Sequence, residues 1–127
     1  MFRSQMATAI YNHQSIDGSI AYSYGTAVEQ EGREGRKLSS YPELKLEIDF
    51  MKGRGMDVSS EMCKQVTPEA LKDASKIILM SEPEYVPEWL KSYSYEFWDI
   101  PNPTSHTQKF LGETYDLLSQ KIAKLIY

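Results

Sequence analysis

The run Lys76-Ile77-Ile78-Leu79-Met80 is the most hydrophobic stretch of the chain. An unbroken apolar run of this length suits a strand buried on both faces, and such strands belong to parallel sheets covered by helices on either side. The flanking segments supply helices and further strands in alternation. Ser19-Ile20-Ala21-Tyr22-Ser23-Tyr24 alternates and is rich in aromatic and β-branched residues, as does Tyr95-Glu96-Phe97-Trp98-Asp99-Ile100. Residues 4–12 read as a short helix, with Met6, Ala9, Ile10 and, just beyond, His13 at three- and four-residue steps on one apolar face. Pro42 suits a first helical turn, Leu44, Ile48 and Met51 form a stripe behind it, and Gly53-Arg54-Gly55 stops it. Thr67-Pro68-Glu69-Ala70 reads as a helix start with Leu71 and Ala74 turned inward; Pro83 and Pro87 break up the next segment, although residues 86–93 fit a short helix. Residues 107–126 form the longest amphipathic stretch, with Phe110, Leu111, Thr114, Leu117, Leu118, Ile122, Leu125 and Ile126 on one side. Residues 29–40 have no periodicity and read as a surface loop, and Pro101-Asn102-Pro103 as a rigid one. The expected fold is α/β, a three-layer doubly wound parallel sheet that would bind ligands at the carboxyl ends of its strands. The order begins on a helix, where a doubly wound unit normally begins on a strand.

At 127 residues the chain is long enough for one domain, 1–127, and too short for two. A net charge of −4 argues against nucleic acid as a partner. No apolar run approaches the ~18 residues of a membrane span. The polar opening MFRSQMATAIY is unlike a signal peptide. One cysteine, Cys63, excludes an internal disulfide framework and suits a reducing cytoplasm. With two histidines, His13 and His106, no Cys/His metal site is expected, and no cofactor.

Several segments, in order, resemble the low-molecular-weight protein tyrosine phosphatases and their arsenate reductase relatives. They are Phe2-Arg3-Ser4-Gln5-Met6-Ala7, Tyr24-Gly25-Thr26, Lys52-Gly53-Arg54-Gly55-Met56-Asp57-Val58-Ser59, Lys64-Gln65-Val66-Thr67-Pro68-Glu69, Lys76-Ile77-Ile78-Leu79-Met80 and Trp98-Asp99-Ile100-Pro101-Asn102-Pro103. The resemblance implies a phosphate-binding loop of the pattern Cys, five residues, Arg, Ser or Thr, joining a first strand to a first helix. In such a loop converging backbone N–H groups and the helix N-terminus bind phosphate. The arginine fork grips two of its oxygens, and the same field favours the cysteine thiolate as nucleophile. Arg3 and Ser4 match the closing pair. The matching cysteine would precede Arg3 by six positions, ahead of Met1. The expected fold is therefore this family's, lacking its central first strand, its nucleophile and most of the phosphate-cradling amides.

Two further departures bear on activity. Where the family's Asp-Pro pair supplies the general acid, this chain has Asn102-Pro103, and an amide cannot deliver a proton. Asp99 lies three residues earlier as the candidate substitute, against a plain strand-end carboxylate. The arsenate reductase branch needs additional relay cysteines, but Ser81 follows the apolar strand and Cys63 is alone. Cys63 itself has no glycine-rich turn and meets Glu69, not arginine, six positions on, so an idle thiol is expected. Ser4 has the simpler role of helix cap, His13 that of a cation at a helix C-terminus, and His106 is expected to be exposed. Tyr93, Tyr95, Phe97 and Trp98 suit either ring stacking or ordinary packing.

A missing central strand would leave a slot between residues 20–24 and 76–80. The sheet could re-pair across it, another chain could supply a strand, or the natural protein could be longer. Three functions follow. The first is a degenerate phosphatase-like domain, inactive as written. The second is an active phosphotyrosine or phosphomonoester hydrolase whose strand and Cys loop precede this sequence, taking a phosphate-type ligand once the loop is complete. The third is an interaction module pairing through an open sheet edge, as a homodimer or with a strand-donating partner.

Overall fold

The computed structural model describes residues 2–101 and 107–126. Helix α3, Gln108–Ile126, carries the stripe that its spacing predicts: Leu111, Thr114, Leu118 and Ile122 are buried. The Thr107 hydroxyl accepts a hydrogen bond from the Phe110 N–H at 3.2 Å and so caps its first turn. Helix α1, Phe2–Gln14, starts earlier than the sequence suggests and buries Phe2, Gln5, Met6, Ala7 and Ile10 against α3. Its buried face is rotated from the expected one: Ala9 is only partly covered, and His13 is exposed. Because α1 begins at Phe2, Ser4 lies inside its first turn and does not cap it.

A single-turn 3-10 segment, Pro42–Leu44, leads into helix α2, Lys45–Gly53, which buries Glu47 and Met51. On its outer side Arg54 lies over the rings of Phe50 and Tyr115, 4.3 and 4.6 Å from their centroids. The rings themselves meet edge to face at 5.9 Å, which ties α2 to α3. Met6, Ile10, Met51, Leu118 and Ile122 bring the three helices to one core, joined by Leu38 and Ile100 from the connecting segments. Full burial of each such side chain stabilises the fold by about 1.5–3 kcal/mol.

Strand β1, Ile78–Leu79, pairs in parallel with β2, Glu96–Phe97, in the register Ile78–Glu96 and Leu79–Phe97. The Ile77 and Leu79 carbonyls accept from the Glu96 and Trp98 N–H groups, each at 2.9 Å. Two of the three expected strands form, each two residues long, and the chain is mixed α/β as expected. Within 76–80 only Leu79 is buried, and β2 exposes both of its residues.

Residues 19–24 form no strand, contrary to their alternation. Asn12 holds this stretch by accepting from the Ala21 N–H at 2.8 Å and donating to its carbonyl at 3.1 Å. Ile20 and Tyr22 are 64% and 73% exposed. A strand exists only where a neighbour completes its ladder, and this one meets a neighbour only at its end, where Gly25 pairs in parallel with Gln65. A Cβ at Gly25 would lie 2.4 Å from Cγ2 of Val28, itself 3% exposed. Gly25→Ala is therefore expected to cost about 1–3 kcal/mol, read as a lowered urea midpoint.

Residues 29–40 are mostly turns as expected, yet they also anchor the core. Lys37 pairs antiparallel with Met62, and Leu38 in the turn Leu38–Ser40 is fully buried. The helix expected after Thr67 is one 3-10 turn, Glu69–Leu71, with Ala74 exposed and Leu71 half-buried. Thr67 still accepts from the Ala70 N–H at 3.1 Å. The segment before β2 is a 3-10 helix, Glu88–Ser92, whose Leu90 is buried. No helix among the described residues is long and apolar enough to cross a membrane.

Candidate functional site

The structure opens a cleft of about 400 Å³ between residues 22–28 and residues 76–82, with Arg3 and Ser4 of α1 at its border. The helix places Arg3 in its first turn, where the positive end of α1 adds to the guanidinium charge. The arginine does not present an open fork. Its Nη1 donates to the Ile100 carbonyl at 2.6 Å, and its Nη2 meets the Glu82 carboxylate at 3.3 Å. The Arg3 side chain is 12% exposed, and an anion gripping the same fork would compete with this carbonyl and carboxylate. Ser4 accepts a hydrogen bond from the Ser23 hydroxyl at 2.9 Å, linking α1 to one wall. The Thr26 and Ser81 hydroxyls meet at 3.1 Å and bridge the two walls.

Cys63 and Arg33 line the cleft as well, a juxtaposition the sequence reading missed. Arg33 pairs with Glu31 at 2.6 Å, which raises the arginine pKa and lowers that of the glutamate. Burial pushes the Cys63 thiol pKa up, and the nearby Arg33 only partly opposes that. The thiol, 3% exposed, thus favours its protonated form, as an idle cysteine does. Native protein is expected to react with iodoacetamide at pH 8 about 10²-fold more slowly than free cysteine, and at the free rate in urea. Its rate should keep climbing with pH beyond about 8.5, where an ordinary thiol levels off.

Asp99 is exposed and does not line the cleft, so it is not brought to Arg3. Its neighbour Ile100 supplies the carbonyl that Arg3 binds. Asn102 and His106 lie outside the described residues. Of the aromatics, Trp98 is buried, with its Nε1–H donating to Glu96 at 2.6 Å. Tyr93 packs edge-on against Trp89, with ring centroids 5.6 Å apart, while Tyr95 and Phe97 are exposed. None of these four lines the cleft. Buried Gln5 donates to the Met62 carbonyl at 3.3 Å; no sequence signal distinguished it from a surface glutamine.

No protein-family model matches the sequence, and no curated protein matches it. The solved structure of Vibrio vulnificus Wzb in complex with benzylphosphonate is similar in fold, with a TM-score of 0.75 over 98% of this chain and 88% of that one, at 17% identity. Helices around a small parallel sheet in this arrangement give the chain the fold of the low-molecular-weight tyrosine phosphatases.

Proposed function

We propose that this chain is a low-molecular-weight tyrosine phosphatase-like domain that, as its 127 residues stand, does not hydrolyse phosphate esters. The engagement of Arg3 carries this reading. A phosphate-gripping arginine needs a free fork and a thiolate facing the same point. Here the fork is bound to Ile100 and Glu82. The sole sulfhydryl, Cys63, lies 60 residues along the chain in a segment without the loop pattern, and burial favours its thiol form. At the acid position stands Asn102, and Asp99 is turned to solvent. Wzb binds benzylphosphonate; an arylmethyl phosphonate or an aryl phosphate is the corresponding ligand class here once a complete loop is present. An active hydrolase results if a strand and Cys loop precede these residues; the Arg3-Ser4 pair at the start of α1 favours this second reading.

The test is release of 4-nitrophenolate from 4-nitrophenyl phosphate by the purified chain and by Cys63→Ser. Neither is expected to exceed the buffer rate. Turnover by the first and not the second would make Cys63 a nucleophile and overturn the reading.

A further inference from the structure

We infer that the exposed face of β2 is a docking surface for an arginine-bearing segment of another protein. The inference goes beyond the phosphatase-like reading and involves a different surface, because no residue from 91 to 101 lines the cleft.

The same segment exposes aromatic rings. Tyr85, Tyr95 and Phe97 are 51%, 36% and 49% exposed, three of the seven large hydrophobic side chains exposed among the described residues. At β2 the direction of the side chains is fixed by a contact. The Glu96 carboxylate accepts from the Trp98 indole N–H at 2.6 Å, so side chains 96 and 98 share one face of the strand. Phe97 stands between them and takes the other face. Trp98 is buried and Phe97 is half open, so the second face is the uncovered one.

Charge says what would cover it. Residues 82–99 hold Glu82, Glu84, Glu88, Glu96 and Asp99 against Lys91 alone. Their net charge of −4 equals that of the whole chain, so the remaining residues balance. Glu82 meets Arg3, and Glu88 takes up Lys91 at 2.8 Å. Glu84, Glu96 and Asp99 are exposed and make no ion pair among the described residues. An apolar partner would match the rings but strip water from these carboxylates without replacing it. A guanidinium answers both, since its plane stacks on a ring while its edge binds a carboxylate. The chain already uses this geometry elsewhere, where Arg54 lies over Phe50 and Tyr115 at 4.3 and 4.6 Å. Lysine fits less well, because its ammonium is strongly hydrated and has no plane to stack. The field of the segment also steers a cationic partner toward it and repels an acidic one.

The probe is acetyl-Arg-Gly-Arg-Gly-Arg-Gly-Arg-amide, read by two-dimensional NMR and fluorescence anisotropy. It is expected to bind below millimolar concentration and to shift the signals of Tyr95, Phe97 and Asp99. The lysine counterpart should bind about threefold more weakly, and the glutamate counterpart not at all. Raising sodium chloride from about 0.05 to about 0.5 M should weaken binding about tenfold. Phe97→Leu keeps an apolar side chain and removes the ring. It should leave far-UV circular dichroism unchanged, weaken the arginine peptide about threefold and erase its advantage over lysine. Glu84→Gln with Asp99→Asn, both exposed positions, should flatten the salt dependence. No binding at millimolar peptide, equal binding of the arginine and lysine peptides, or unchanged binding by Phe97→Leu would overturn the inference. So would Tyr95 and Phe97 signals that move with protein concentration alone, together with a doubled mass in size-exclusion chromatography, which would assign the face to a second copy. No phosphate ester enters these measurements, so failure of the phosphatase-like reading would leave them unaffected.

Discussion

Incubated with 4-nitrophenyl phosphate, the purified chain is expected to fall about 10⁶-fold short of an ordinary cysteine phosphatase. Losing the nucleophile of a covalent mechanism commonly costs that much. Two features of the structure and one of the sequence point the same way. Both terminal nitrogens of Arg3 are engaged, one by the Ile100 carbonyl and one by the Glu82 carboxylate, so a phosphoryl group would compete with them for the fork. Burial keeps Cys63 protonated, so little thiolate exists near neutral pH. Where the resemblance expects the general acid, the sequence has Asn102; an amide cannot deliver a proton, and general acid catalysis alone is worth about 10²–10⁴-fold. A decisive control adds an upstream strand and Cys loop to the chain. Turnover in that longer protein, with none in the 127-residue chain, would locate the deficit in the segment added. Failure of both would make Asn102 a second lesion, and Asn102→Asp in the longer protein should then restore rate.

Leu118→Ala is expected to lower stability by about 2–5 kcal/mol, the usual cost of an unfilled core cavity. Leu118 is 0% exposed on the face of α3 that packs with α1, among Met6, Ile10 and Ile122. Helices on either side restrict collapse of the space left behind, so the upper half of that range applies. A domain of this size has roughly 5–15 kcal/mol in total, so the variant should lose a large share of it. Urea unfolding followed by far-UV circular dichroism gives the measurement. Leu117→Ala, one residue earlier and only partly buried, should cost clearly less. Equal losses would mean that the assigned face of α3 is wrong.

The helices were legible because their evidence is local. Leu111, Thr114, Leu118 and Ile122 repeat at helical spacing, and the structure buries those four. Leu44 and Met51 were likewise found in the sequence. His13 was misplaced because three- and four-residue steps define a stripe only to within a turn, and packing against α3 chose the neighbouring one through Gln5 and Ala7. The strands were less legible. Residues 19–24 alternate as well as residues 95–100 do, yet only the second set forms a ladder, because β1 lies beside it.

From the sequence alone came the α/β class, the helical stripes, the Arg3-Ser4 pair and the expectation, from the resemblance, that Asn102 occupies the acid position. Only the tertiary structure decided that Arg3 is already bound, that Asp99 faces solvent, and that Cys63 sits beside Arg33 in the same cleft. Helical periodicity is written in residues three and four apart. Occupancy of a guanidinium depends on Ile100 and Glu82, nearly the length of the chain away from Arg3, and no local pattern records which distant groups meet.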